Sequence, residues 1–173
     1  MWQRLIRIFS RKPAYRPGPP ARPRLVVTQS CLEALCTCLE PEVRRGHEGV
    51  AYLLGQTDGT VTLAVVAVRP EAVTTPGSFS VSAPAMAKVV RTATKAGLQI
   101  VAQVHTHPDK AYHSDGDVEG ARIVFGGFVS AVLPDYGRRL PGLDGGAVYM
   151  FRSGTGFVEI AADRIGILPG RLA

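Results

Sequence analysis

The chain has 173 residues, of which 46% are hydrophobic and 20% are charged. This length and composition predict one soluble globular domain that buries a core of its own. No apolar run approaches the roughly 18 residues that a membrane-spanning helix needs, so no transmembrane segment is expected.

The net charge of +6 is concentrated at the N-terminus. Residues 1–24 hold seven of the 20 Lys and Arg and no acid, so the other 13 basic residues face all 14 carboxylates. An enzyme that acts on nucleic acid would more often carry its positive charge on the folded surface around its site. The nearly neutral body therefore argues against a nucleic-acid partner.

The basic N-terminal arm, residues 1–24, is expected to lie outside a folded domain of residues 25–173. Its start has apolar residues at helical spacing among basic ones, as in a short basic amphipathic helix: Trp2, Leu5, Ile6 and Phe9. Five prolines within residues 13–23 indicate an extended tether, and the arm lacks the apolar core of a signal peptide. Contact with an acidic partner, contact with an anionic membrane, and a solvated leader all stay open.

Three cysteines, Cys31, Cys36 and Cys38, lie within eight residues. An odd and crowded set does not suggest a disulfide framework. On a helix Cys36 and Cys38 would point about 200° apart, so they would not bind one metal together. Buried thiols in a reducing compartment fit this pattern better, and a cytoplasmic location is expected.

The first predicted elements are a helix and a β-hairpin. Ser30 and Glu33 have the spacing of a capping box, and Pro41 is expected to end the helix. Two apolar runs follow, Gly49–Gly55 and Val61–Val68, and the Thr-Asp-Gly sequence between them predicts a hairpin.

A second helix is predicted over Ser82–Ala96, with Gly97 as its stop. The apolar run Leu98–Val104, broken only by Gln103, predicts a buried strand, and a loop then leads to a helix that begins near Ser114. Three more strands are predicted, over Phe128–Leu133, Ala147–Phe151 and Phe157–Ala161. The order α-β-β-α-β-α-β-β-β indicates a single α/β domain, a mixed sheet flanked by helices.

The loop after the buried strand carries the most informative residues. His105 and His107 stand two residues apart at the strand's end, where alternation places both imidazoles on one face. Ser114 can cap the next helix, and Asp117 then lies one turn inside it, from where its carboxylate could turn back toward the histidines. Two His and one Asp would leave a fourth tetrahedral position open, as in catalytic zinc sites. Each half of this pattern is common by chance, and the combination is much more specific.

A hydrolytic zinc also needs a general base that takes a proton from water and returns it to the leaving nitrogen. Glu48, at the mouth of the first hairpin strand, is the candidate. A charged residue in such a place is usually a solvated strand end. Its position in the sequence does not by itself bring it to the histidines.

The order of these residues resembles the JAMM (MPN-plus) zinc metalloproteases, whose pattern is a Glu on an early strand, then H-x-H, a loop and S-x-x-D. Glu48, His-Thr-His-Pro at 105–108 and Ser-Asp-Gly-Asp at 114–117 match it in order. The five-residue loop between the two motifs is one residue shorter than in many eukaryotic members and resembles a bacterial subclass. The resemblance covers about residues 30–162.

The resemblance implies a role for each matched residue. His105, His107 and Asp117 would bind Zn²⁺. Glu48 would be the general acid/base, and Ser114 would donate a hydrogen bond to the oxyanion of the tetrahedral intermediate. The implied fold is the cytidine-deaminase-like α/β sandwich of JAB/MPN proteins. Many relatives have lost the metal ligands and serve as scaffolds, whereas this chain keeps each of them.

The resemblance also implies a substrate. Bacterial members of this kind resemble deubiquitinase-like isopeptidases that deconjugate or mature a ubiquitin-like protein beside its activating and conjugating enzymes, often in antiphage systems. The cut would follow a C-terminal glycine, because only glycine lets a flexible tail lie flat in a narrow cleft. Two alternatives stay open: removal of an amino acid or peptide from a sulfur-carrier protein, and a non-catalytic scaffold.

Three polar neighbours of the matched residues receive other interpretations. His113 is assigned either to hydrogen bonding within its loop or to contact with the substrate. His47 is interpreted as an exposed neighbour of Glu48, and Asp115 as favourable negative charge at a helix N-terminus.

Overall fold

The structure is a computed structural model, and it describes residues 24–170. The helix and the tether expected in the N-terminal arm lie outside the described residues, apart from Arg24. No helix within residues 24–170 has both the length and the apolar composition needed to cross a membrane.

The described residues form a mixed α/β fold of three α-helices and ten strands. The helices are α1 (Gln29–Arg45), α2 (Ala83–Lys95) and α3 (Asp115–Gly120). The strands are β1 (Leu25–Thr28), β2 (Val50–Thr57), β3 (Thr62–Val68), β4 (Ala72–Thr75), β5 (Ser78–Val81), β6 (Gln99–Thr106), β7 (Val129–Leu133), β8 (Ala147–Arg152), β9 (Gly156–Ile160) and β10 (Ile165–Leu168).

Eight strands form one mixed sheet in the order β10-β1-β3-β2-β6-β7-β8-β9, and β4 and β5 form a separate hairpin. Strand β1 runs parallel to both β10 and β3, and β6 runs parallel to β7. The other pairs of the large sheet are antiparallel. A mixed sheet flanked by helices is the predicted fold class, and this prediction is confirmed.

Each face of the sheet carries one helix, because side chains alternate along the central strand β2. Ala51 and Leu53 pack into the core under α1, whereas Val50, Tyr52 and Leu54 pack into the core under α2. All five of these residues are at most 3% exposed. The alternation explains why β2 reads as a continuous apolar run: it is buried on both faces.

Helix α1 differs from its prediction at both ends. Its N-cap is Thr28, whose Oγ1 accepts a hydrogen bond from the backbone N–H of Cys31, so the expected capping box at Ser30 is wrong. The helix also continues through Pro41 to Arg45 and ends at Gly46, whose φ is +66°. A proline inside a helix costs about 3 kcal/mol. Burial of the neighbouring Leu39 in the core offsets that cost, and the buried carboxylate of Glu42 is paired with Arg45 and Arg69.

The three cysteines lie on α1 as unpaired thiols. Cys31 is buried, and Cys36 and Cys38 are half-buried. Burial, with the nearby Cys38 as a smaller contribution, raises the pKa of Cys31 to about 11. A thiol with such a pKa is protonated and unreactive at neutral pH, which agrees with the expected structural role.

Four short strands were not predicted. Strands β1 and β10 pair in parallel at one edge of the sheet, and β4 and β5 form the hairpin between β3 and α2. Each has only four residues, which is too short for a clear periodic signal. The hairpin did leave a trace in the sequence, because Pro76 and Gly77 are typical turn residues between two alternating runs.

The remaining predicted elements are confirmed. The hairpin forms as β2 and β3, and α2 is capped by Ser82, whose Oγ accepts from the N–H of Ala85. The buried strand forms as β6, the short helix α3 begins after Ser114, and the three C-terminal strands form as β7, β8 and β9.

Gly55 provides a test of the sheet's packing. It lies at a register shift between β2 and β3, and a Cβ atom there would come within 1.7 Å of the carbonyl oxygen of Leu63. Backbone must therefore move in Gly55→Ala, and we expect the free energy of unfolding to fall by about 2–3 kcal/mol, measured by urea denaturation. The matched control is Gly77→Ala, where no atom lies within 4 Å of the added Cβ. Equal stability of the two variants would contradict this packing.

Candidate metal centre

The C-terminal end of β6 places two histidines at one point of the fold. His105 is paired with Val50 of β2 and is fully buried. His107 follows β6 directly, and its backbone N–H donates to the carbonyl oxygen of Leu133 at the end of β7. The two imidazole rings lie on the same side of the sheet with their centroids 5.2 Å apart. This is the convergence that their spacing predicts.

Helix α3 brings Asp117 to the same point. Ser114 caps the helix: its Oγ accepts from the N–H of Asp117 at 3.2 Å, and its own N–H donates to Oδ2 of Asp117 at 2.8 Å. The Ser114 hydroxyl also lies 2.6 Å from Oδ2 and donates to it. This reciprocal capping box orients the carboxylate toward the two histidines rather than toward solvent.

His105, His107 and Asp117 form a cluster that can hold a metal ion. Their candidate ligand atoms all lie within 4.8 Å of one another. Nε2 of His105 and Nε2 of His107 each lie 3.3 Å from a different oxygen of Asp117. The approach at His105 lacks hydrogen-bond geometry, and this buried nitrogen has no hydrogen-bond partner among residues 24–170. A metal ion would satisfy it, and two imidazoles with one carboxylate suit a divalent transition metal.

The protonation states of the cluster follow from burial and from its internal contacts. Burial lowers the pKa of His105, so this imidazole is neutral at neutral pH. Burial alone would raise the pKa of Asp117, but the contacts with His105, His107 and Ser114 outweigh it and hold that pKa well below its usual range. Burial works to lower the pKa of His107, yet the bond to Asp117 and the charge of Glu48 together raise it.

Glu48 lies in the same cleft as His107 and Asp117. It lies two residues before β2, it is 6% exposed, and its backbone N–H donates to the carbonyl oxygen of Thr75 on β4 at 2.9 Å. Burial raises the pKa of its carboxyl group, while the nearby His107 acts in the opposite direction. The cleft has a volume of about 310 Å³. Because Glu48, His107 and Asp117 all line it, the structure brings the expected general base together with the candidate ligands.

Thr106 ties the segment of Glu48 to the histidine strand. Its Oγ1 accepts a hydrogen bond of 2.7 Å from the N–H of Gly49, and its own N–H donates to the carbonyl oxygen of Gly49 at 3.0 Å. Thr106 is fully buried. The residue between the two histidines therefore fixes the residue that follows Glu48.

The three polar neighbours take the following places. His113 is half-buried between the rings of Tyr149 and Phe157, and its Nε2 lies 3.0 Å from Oγ of Ser130, so it holds its loop to the sheet. Burial lowers the pKa of His113 to about 4. His47 is half-buried rather than exposed, with Nδ1 3.2 Å from Oγ1 of Thr74. Asp115 is exposed in the first turn of α3, as expected.

The sequence did not identify the walls of the cleft. The β4–β5 hairpin forms one wall through residues 77–81, and three polar side chains also line the cleft: Tyr52, Gln103 and Arg122. Tyr52 and Gln103 lie in segments that the sequence predicts as buried strands, and nothing in their spacing indicates that they line a cleft. The pairing of β2 with β6 is the signal that could have placed them opposite each other.

Comparison with known proteins decides the family. A family described as prokaryotic homologs of the JAB domain matches residues 38–139. The chain belongs to this family. The match contains Glu48, both histidines, Ser114 and Asp117. The resemblance expected from these residues is therefore confirmed.

Individual proteins are similar to this chain in sequence or in structure. The probable metalloprotease y4jG of Sinorhizobium fredii (strain NBRC 101917 / NGR234) is 29% identical over 118 residues, which cover 66% of this chain and 73% of that protein. The solution structure of DSY2949 from Desulfitobacterium hafniense is similar with a TM-score of 0.61 and 15% identity, over 84% of this chain and 92% of that chain. AF2198 of Archaeoglobus fulgidus, described as a JAB1/MPN domain protein, gives a TM-score of 0.48 and 15% identity, over 83% and 97% of the chains.

The three-residue cluster predicts the metal content of the protein. We expect about one divalent metal ion per chain, and we expect His105→Ala and Asp117→Ala to lose most of it, because each removes one of only three protein ligands. The measurement is metal analysis by mass spectrometry after dialysis. Asp115→Ala, which removes an exposed carboxylate of the same helix, is the control and should keep the metal. Full occupancy in a His105→Ala/Asp117→Ala double variant would refute the ligand assignment.

The contact between Thr106 and Gly49 predicts the behaviour of one amide proton. In Thr106→Val the buried N–H of Gly49 loses its acceptor hydroxyl, which costs about 1–3 kcal/mol. We expect faster hydrogen exchange of the Gly49 amide, measured by NMR. Thr106→Ser keeps the hydroxyl and should keep the protection. Equal exchange rates in both variants would show that the hydroxyl does not hold Gly49.

Proposed function

We propose that this chain is a zinc-dependent peptidase or isopeptidase that cuts after the C-terminal glycine of a bacterial ubiquitin-like protein. The observation that supports the proposal most directly is the buried cluster of His105, His107 and Asp117, with an unpartnered Nε2 on His105 and with Glu48 in the same cleft. Membership in the JAB family and the similarity to a probable metalloprotease support hydrolysis as the reaction class.

The proposed mechanism assigns one task to each side chain. His105, His107 and Asp117 would hold zinc, which supplies Lewis acidity to the site when bound. Glu48 takes a proton from the water that attacks the scissile carbonyl and delivers it to the leaving nitrogen. The raised pKa of Glu48 suits both tasks, because a carboxyl group whose pKa lies closer to neutral pH can both accept and return a proton.

Ser114 is proposed to donate a hydrogen bond to the oxyanion that develops on the substrate carbonyl. Its hydroxyl lines the cleft beside Asp117 and at present donates to Oδ2 of that residue. The oxyanion and Asp117 therefore compete for one hydroxyl proton. Such a donor contributes about 3–4 kcal/mol to the stability of the transition state in comparable sites.

The substrate side of the proposal rests on the shape of the site. His107 and Asp117 line a cleft walled by the β4–β5 hairpin and α3, and a glycine-rich tail can enter such a cleft in an extended conformation. Activating and conjugating enzymes of the same pathway are the proposed partners. A cytoplasmic location is proposed because the three cysteines are unpaired.

Replacement of the general base provides the principal test. We expect Glu48→Gln to keep both its fold and its zinc but to lose at least about 100-fold in turnover, because the carboxylate acts on water and is not a ligand. Turnover is measured on ubiquitin-like and sulfur-carrier proteins that carry a reporter peptide after the terminal glycine. Glu119→Gln, on the exposed part of α3, is the matched control and should leave turnover unchanged.

The substrates themselves distinguish the alternatives. Cleavage of a sulfur carrier but of no ubiquitin-like protein would move the enzyme to biosynthetic processing. Cleavage that persists when the terminal glycine becomes leucine would contradict the glycine requirement. A zinc-loaded wild-type protein that cuts none of these substrates, with wild-type binding retained in Glu48→Gln, would indicate a non-catalytic scaffold.

A further inference from the structure

The cleft continues past the metal cluster to a second group of polar side chains. Tyr52 on β2 and Gln103 on β6 line it, and they are 1% and 7% exposed. Arg122, which follows α3, is exposed and lines the same cleft. None of the three has a task in the proposed mechanism. Polar groups that converge in a cleft usually recognise a part of the ligand.

The strand register fixes the distance between this group and the metal cluster. Tyr52 is paired with Gln103, and Val50 is paired with His105 two residues further along both strands. Two residues of a strand span about 7 Å. An extended substrate has the same rise per residue as a strand, so two of its residues also span about 7 Å. A group bound at Tyr52 and Gln103 would therefore lie about two substrate residues from the bond that is cut.

Tyr52 and Arg122 both offer hydrogen-bond donors. Burial raises the pKa of Tyr52 to about 12, while the charge of Arg122 acts in the opposite direction, so the hydroxyl is protonated at neutral pH and can donate. None of the ion pairs formed within residues 24–170 involves Arg122. Its guanidinium therefore has its donors available to an anion in the cleft.

Gln103 adds a third donor once His105 binds a metal. In the structure, Nε2 of the Gln103 side-chain amide lies 3.4 Å from Nδ1 of His105. A histidine that binds a metal through Nε2 carries its proton on Nδ1 and donates it to a neighbour. The amide oxygen of Gln103 is the group that can accept this proton, and the two ends of an amide have nearly the same shape. When the amide turns so that its oxygen faces Nδ1 of His105, the NH₂ group of Gln103 is free to donate to a ligand.

We propose that Tyr52, Gln103 and Arg122 form a subsite for a carboxylate of the substrate. The subsite deepens the proposed function and rests on it for the position of the bond that is cut. An arginine beside two neutral donors suits a carboxylate, because charge-assisted hydrogen bonds to carboxylates are the strongest that a protein offers. The acidic residues of the cleft, Glu48 and Asp117, lie at the metal end.

Two sources could supply this carboxylate. One is the free C-terminus of a short peptide that leaves after cleavage, which would make the enzyme a maturation peptidase. The other is an acidic side chain of the ubiquitin-like tail, about two residues before the cut. The chemistry of recognition is the same in both cases, and pairs of peptides that differ in one charge distinguish them.

The experiment measures peptide binding by calorimetry to the full-length, zinc-loaded protein that carries Glu48→Gln and therefore does not cut. The first pair is acetyl-Gly-Gly-Ala-Ala with a free carboxylate or with a C-terminal amide. The second pair is acetyl-Ala-Glu-Gly-Gly-Ala-Ala amide and the same peptide with Gln in place of Glu. We expect the charged member of one pair to bind about five- to tenfold more tightly, and this ratio to approach one when Arg122→Gln is added.

Two further variants keep the interpretation specific. Tyr52→Phe keeps the buried ring and removes only the hydroxyl, so it should reduce the same ratio. Arg91→Gln removes an exposed arginine of α2 that does not line the cleft, so it should leave the ratio unchanged. Dependence on Arg122 in the first pair identifies a C-terminal carboxylate, and dependence in the second pair identifies an acidic side chain.

The subsite is overturned if neither ratio depends on Arg122, or if neither charged peptide shows saturable binding. Its failure is distinct from a failure of the proposed function, because binding is measured without cleavage. One outcome would contradict the function and support the subsite: the wild-type protein cuts no glycine-ended substrate, while in Glu48→Gln the affinity ratio of a peptide pair still depends on Arg122.

Discussion

The antiparallel pairing of β2 with β6 is the constraint on which the candidate site depends. Its register places Val50 opposite His105, so the start of β2 lies beside the end of β6. Glu48, before β2, and His107, after β6, therefore lie at the same end of this strand pair. Thr106 adds its own two hydrogen bonds to Gly49 at this edge. A slip by one residue would turn every side chain of β6 to the opposite face and would separate the histidines from the carboxylates. The chemistry of the site is thus a property of one strand pair.

The ionised carboxylate of Asp117 is stable in the buried cluster because it is paired and hydrogen-bonded there. Removing charges from water is costly unless each is paired and hydrogen-bonded. Asp117 receives bonds from its own helix cap and faces two imidazoles, which keeps it ionised. His105 is neutral because of its burial. An ionised Asp117 and a neutral His105 are the states that metal binding requires, whereas the raised pKa of His107 opposes metal binding, because a metal competes with a proton for that ring.

Much of the site could be predicted from the sequence because its residues follow local rules. The alternation of a strand places His105 and His107 together, and the capping preference of Ser114 places Asp117. The position of Glu48 could not be derived locally, since it depends on pairing across 57 residues of sequence between Gly49 and Thr106. The resemblance to known metalloproteases supplied it before the structure did.

The errors of prediction have the same origin. Pro41 is an unfavourable helix residue by itself, and only the packing of α1 on the sheet carries the helix past it. The strands β1 and β10 pair with each other from opposite ends of the described chain, and neither has a distinctive pattern alone. Tertiary contacts decide such segments, and a reading of local propensities misses them.

The order of helix α3 depends on the candidate metal site. The helix has only six residues and its apolar side chain, Val118, is 49% exposed, so no hydrophobic contact of its own holds it in place. Its order rests on the cap at Ser114 and on the contacts of Asp117 with the histidines. A ligand that binds only the ordered form of a segment stabilises that form by mass action. A metal bound by Asp117 would therefore also stabilise the ordered form of α3, and in the metal-free protein this wall of the cleft would be more exposed to proteases.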